Sequence, residues 1–198
     1  MPATYTPFGF RFVGSLNGTH GGETRSYPLP NGASCPQLGK GSPVKHSAGV
    51  VTSVGTAGDA PILGVATGFQ WVDGTTKQPQ YRTWIPAGTS SAATLEGETR
   101  PVAQVVDMQD AIYMVQANAS VTAGDVGLNF TVTAVGGDVD TVYGVSRYGL
   151  LATSRTSAIT GSFKVVGLAR IEGNSWADAF PIVLVKANRP VLADTSAF

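Results

Sequence analysis

The chain carries few residues that could do chemistry. Nucleophilic catalysis needs a base beside the nucleophile, and the histidines are His20 and His46 alone. Neither sits in a catalytic motif, and no Gly-x-Ser-x-Gly turn occurs. Cys35, the single cysteine, lies in Ala33-Ser34-Cys35-Pro36-Gln37 and reads as a small apolar residue. Asp138 and Asp140, with Asp125 near in sequence, could offer oxygen ligands to calcium. They lack the further acidic positions and closing glutamate of an EF-hand, so a solvated turn is the simpler reading. Glu96, Glu98, Asp107, Asp110, Glu172 and Asp178 could supply an acid and base pair to a glycosidase, but such a pair is defined by spacing in three dimensions. Trp71, Tyr81, Trp84 and Trp176 could stack on sugars, or anchor a core or an interface. Asn17, Asn118 and Asn129 open Asn-x-Ser/Thr triplets, which carry no weight without a secretory signal. The chain is therefore expected to be neither an enzyme nor a cofactor protein.

Composition agrees. Lysine plus arginine equals aspartate plus glutamate at 13 each, so no net field gathers phosphates or anionic lipid, and neither nucleic acid nor membrane is an expected partner. Charged residues are 13% of the chain, low for a subunit that must stay soluble alone, which favours life docked on something else. One cysteine excludes an intrachain disulfide and suits folding in a reducing cytoplasm. The first residues show no signal-peptide pattern, and no stretch is apolar and long enough for a membrane helix.

The 198 residues suit one domain, and 25 glycines and 12 prolines among many Ser and Thr break helices and feed turns. Residues 1–45 show no sustained period of 2 or 3.6. They read as an extended N-terminal arm whose Tyr5, Phe8, Phe10, Phe12, Tyr27 and Leu29 must be covered by something. Residues 46–198 read as a compact antiparallel β-barrel or sandwich of about nine strands, with apolar runs between turn signals. Residues 61–72 and 80–85 flank Asp73-Gly74 as a hairpin across which Trp71 and Trp84 would face each other. Residues 111–117 alternate, with Ala111, Tyr113 and Val115 on one face. Residues 131–135 reach a turn at Gly136-Gly137-Asp138, and 162–171 and 181–185 close the set. Single helical turns are expected at most near 157–159 and 174–179.

Several phrases resemble a known group. The opening Thr4-Tyr5-Thr6-Pro7-Phe8-Gly9-Phe10-Arg11-Phe12-Val13-Gly14-Ser15-Leu16-Asn17-Gly18 is similar to the start of structural proteins encoded beside the major capsid protein in podophages. Ala60-Pro61-Ile62-Leu63-Gly64-Val65-Ala66-Thr67-Gly68-Phe69-Gln70-Trp71-Val72-Asp73 resembles that group's central hairpin, and Tyr81-Arg82-Thr83-Trp84-Ile85-Pro86-Ala87-Gly88-Thr89 the strand after it. The closing pieces Gly124-Asp125-Val126-Gly127-Leu128-Asn129, Val166-Gly167-Leu168-Ala169-Arg170 and Asn174-Ser175-Trp176-Ala177-Asp178-Ala179-Phe180-Pro181 are similar to it as well. The resemblance spans most of the chain in order and contains no reactive group. It implies a decoration or cement subunit on the outer capsid surface of a virion, assembled in the bacterial cytoplasm. Such a subunit bridges neighbouring major capsid proteins and self-associates as a dimer or trimer at local symmetry axes. Tyr5, Phe8, Phe10, Phe12, Trp71, Trp84 and Trp176 are the expected partner-binding residues. The alternative is a head-fibre or tail-associated module that recognises host glycan through Trp71, Trp84 or Trp176.

Overall fold

The computed structural model describes residues 4–16, 18, 23–55, 61–92, 100–158, 161–176 and 178–188. The fold is all-β, as the turn-rich composition requires, with no α-helix among the described residues. In chain order the strands are β1 (Arg11–Ser15), β2 (Thr24–Pro28), β3 (Leu38–Gly39), β4 (Pro43–Ser47), β5 (Val50–Ser53), β6 (Gly64–Val72) and β7 (Pro79–Arg82). They continue with β8 (Trp84–Ile85), β9 (Val102–Val106), β10 (Ala111–Gln116), β11 (Asn129–Asp140), β12 (Val145–Thr156), β13 (Phe163–Leu168) and β14 (Ile182–Ala187).

The first sheet has the order β1-β10-β14-β13-β11-β12. Its inner face follows from period-2 patterning. The register aligns Phe12 with Tyr113, Tyr113 with Val185 and Val185 with Val165, so one transverse row of rings and β-branched side chains runs across four strands. The sheet curls into a half-barrel. Its last strand returns to β10 through a parallel bridge between Ala117 and Leu150, secured by the Asn118 N–H donating to the Leu150 carbonyl at 2.9 Å.

The second sheet has the order β2-β9-β6-β4-β5, with β7 added to β6, and the β3–β8 ribbon forms a third, two-stranded sheet. The second sheet feeds two cores. Val65 and Val106 join Phe10, Tyr113, Phe130, Tyr148 and Phe163 against the half-barrel. Ala66, Ala103 and Val105 join Leu29, Leu38, Phe69 and Ile85 on the other side, together with Cys35. Burial raises the Cys35 thiol to about 11.

Four expectations need correction. Residues 1–3, 17 and 19–22 lie outside the described residues, and the described residues of 4–45 do not form an arm apart from the domain. They supply β1 through most of β4, and Phe10, Leu29 and Leu38 are core residues. Pairing of β1 with β10 and of β2 with β9 gives these segments their backbone partners across long sequence separations, which local periodicity cannot reveal. The strand count among the described residues rises to fourteen, because β1 to β4 are added and the segment 80–85 divides into β7 and β8. Gly136 and Gly137 do not end a strand. Both have positive φ, and they lie in an irregularity of β11 where five residue steps, from Ala134 to Val139, oppose two on β12, from Tyr148 to Ser146. The true reversal comes at 141–144. Trp71 and Trp84 do not face each other: Trp71 pairs with Gln80, and Trp84 turns away to pair with Gly39.

Candidate docking cleft and hairpin tip

Three of the rings named from sequence come together. Phe8, Phe10 and Phe12 line a cleft of about 500 Å³ between β1 and the second sheet, completed by Val65, Val106, Tyr113 and Val145. The chain is held there by backbone bonds. The Phe10 N–H donates to the Gly41 carbonyl at 2.9 Å, and the Gly41 N–H donates to the Ala66 carbonyl at 2.8 Å. Phe10 stacks on Phe163 with centroids 4.4 Å apart, and Phe12 meets the edge of Tyr113 at 6.2 Å. Phe10 is thereby buried, whereas Phe8 and Phe12 keep part of their surface open. Among the described residues the charged ones lining the cleft are Arg11 and Lys40. The Arg11 guanidinium carbon sits 4.6 Å over the Phe8 ring. The ion pairs among the described residues are Arg25–Asp107, Arg147–Asp140 and Arg155–Asp125, and none of them includes Arg11 or Lys40.

The other rings scatter. Tyr5 packs on Phe180 at 5.7 Å, and burial lifts its phenol to about 12. Trp71 is buried with the Arg82 guanidinium 5.9 Å from its ring, at one side of a shallower cavity of about 390 Å³. Trp84 is half-buried beside Gly144, and Trp176 packs against the half-barrel core.

A second surface was not read from sequence. The longest hairpin, β11–β12, ends in a tip where Val142 is 82% and Tyr143 75% exposed. Asp140 braces the tip despite that exposure. One Asp140 carboxylate oxygen accepts the backbone N–H groups of Val142 at 2.9 Å and Tyr143 at 3.2 Å, and the other accepts from Arg147 at 3.0 Å. The Arg147 bond, followed by these backbone bonds, holds the Asp140 carboxyl below its ordinary range. Gly144 closes the turn with φ +67°, and a Cβ there would strike the Thr83 hydroxyl. The available signal was an apolar pair set between an Asx-turn former and a glycine in Asp140-Thr141-Val142-Tyr143-Gly144, where turn residues would ordinarily be polar.

The candidate reactive groups are not assembled. Asp140 is committed to its turn, and Asp125 accepts from Thr122 and Arg155. Asp107 is buried between Tyr27, whose hydroxyl donates to it, and Arg25. Asp178 caps Ser175. His46 lies edge-on to the Tyr27 ring at 5.4 Å. No cluster of three or more histidine, cysteine, aspartate or glutamate side chains suited to a metal occurs among the described residues. Asn17, His20, Glu96 and Glu98 lie outside the described residues. Comparison with family models, with curated proteins and with solved structures finds no match to this chain.

Proposed function

We propose that this chain is a non-enzymatic structural protein of a phage virion. In this reading it decorates the outer surface of the capsid and cements neighbouring major capsid subunits, self-associating at local symmetry axes. The observation that carries the reading is the tip of β11–β12. An apolar pair is held out in water by an Asx turn, an ion pair and a wedged glycine, so the exposed Tyr143 is pre-organised to bind with little ordering cost. Aromatic anchors of this kind dominate interfaces. The low charge and the resemblance of several sequence phrases to capsid-linked proteins support the same assignment. A ligand that binds only the assembled shell stabilises it by the free energy of binding, and many copies multiply a modest contact.

The test is co-sedimentation with capsids assembled without this chain. The wild type pellets with the shells, and Tyr143→Ala weakens that association at least tenfold while leaving the thermal midpoint within about 2 °C, because an exposed side chain contributes little to folding. Equal pelleting of the two forms removes the tip from the interface, and absence of pelleting by the wild type ends the reading. The glycan-recognition alternative has less behind it. Trp71 is buried under Arg82, and Trp84 and Trp176 lie at separate places, so no pair of open indole faces forms a platform.

A further inference from the structure

We infer that the cleft lined by Phe8, Phe12 and Tyr113 receives an extended peptide segment of a partner protein, one that carries a carboxylate beside large apolar side chains. The inference rests on the structural-protein reading and identifies the partner chemistry of its docking face.

Charge is the first reason. Arg11 and Lys40 are the charged residues of a mostly apolar cavity that Thr67 also lines, and among the described residues the lining holds no carboxylate and neither cation enters an ion pair. In a chain with only 13 cationic side chains matched by 13 anionic ones, two cations on one apolar hollow are complementary to a negative group brought from outside. A polyphosphate backbone would call for a longer track of cations than this, and the zero net charge supplies no field for one. Size is the second reason, since about 500 Å³ falls in the range that takes a few side chains. The strand order is the third. β1 terminates its sheet, and among the described residues no strand pairs with its outer edge. Val13, in the middle of β1, and Leu16, just beyond its end, are exposed. An added strand would gain backbone hydrogen bonds there that a free carboxylate metabolite cannot use, with alternate side chains entering the cleft.

The test uses the isolated chain and two N-acetylated, C-amidated tetrapeptides, Leu-Phe-Glu-Val and Leu-Phe-Gln-Val, followed by amide chemical shifts. The Glu peptide is expected to move the resonances of Arg11, Phe12, Thr67 and Tyr113, and to bind at least tenfold tighter than the Gln peptide. The double variant Arg11→Glu, Lys40→Glu should lose that preference without a change in thermal midpoint. If that variant unfolds, Arg11→Gln with Lys40→Gln takes its place. Equal affinity of the two peptides, or shifts confined to other surfaces, overturns the inference. Tighter binding of an octathymidylate at the same residues also overturns it, in favour of nucleic acid. The two readings fail separately: shell binding without peptide selectivity removes the occupant and keeps the function, and peptide selectivity without shell binding does the reverse.

Discussion

The N-terminal segment and the β11–β12 tip both present aromatic residues between glycines, yet the fold treats them in opposite ways. Around β1 the rings turn inward: Phe10 stacks on Phe163, and Phe12 meets Tyr113. At the tip Tyr143 is left in solvent by a turn whose Val142, Tyr143 and Gly144 N–H groups all bond to Asp140 within the hairpin. The difference lies in long-range pairing. β1 is laid along β10 about a hundred residues away in sequence, which carries its rings over a core, whereas the tip reverses on itself beyond the end of the core. Apolar content alone therefore says that a ring must be covered, and topology decides whether the cover is the same chain or another one.

Breaking the inward side should have the largest effect. Phe10→Ala removes a ring with 2% exposure and should cost about 3–5 kcal/mol of folding stability, read from the urea midpoint at unchanged slope. A loss below about 1 kcal/mol would return the segment to the status of a detachable arm. A smaller effect is expected where the tip meets the body. Gly144→Ala forces a side chain into left-handed backbone against Thr83 and should cost about 1–3 kcal/mol. The smallest belongs to the carboxylate that braces the tip. The folded pKa of Asp140 is depressed, so its contribution is present above the unfolded value of about 3.9 and lost as pH falls through the folded value. Asp140→Asn should accordingly be slightly less stable than wild type at neutral pH, with the difference shrinking as pH falls below about 3.9, by the same urea titration.

Much of the fold was legible where one face of a strand is core. The alternation of Ala111, Tyr113 and Val115 matches their burial, and the Asp73-Gly74 hairpin forms with β6 and β7 in register. The N-terminal strands were not legible. β2 pairs at the edge of its sheet and exposes Thr24, Arg25 and Ser26, so it carries no clean alternation. The glycines of β11 misled for a related reason, since positive φ serves a bulge as well as a turn. Of the candidate site, Phe8, Phe10 and Phe12 were found because bulky rings announce a need for burial. Arg11 and Lys40 were not, because a cation becomes informative only when its surroundings show that no carboxylate answers it.

Cys35 offers a practical handle on these questions. Its thiol is 3% exposed, and burial raises it to about 11, so a maleimide or disulfide reagent near neutral pH can modify it only when the core around Leu29 and Ile85 opens. Its labelling rate is a built-in clock for that opening. A second cysteine introduced at the tip would react at once, letting one mass spectrum follow partner contact and core breathing on the same molecule.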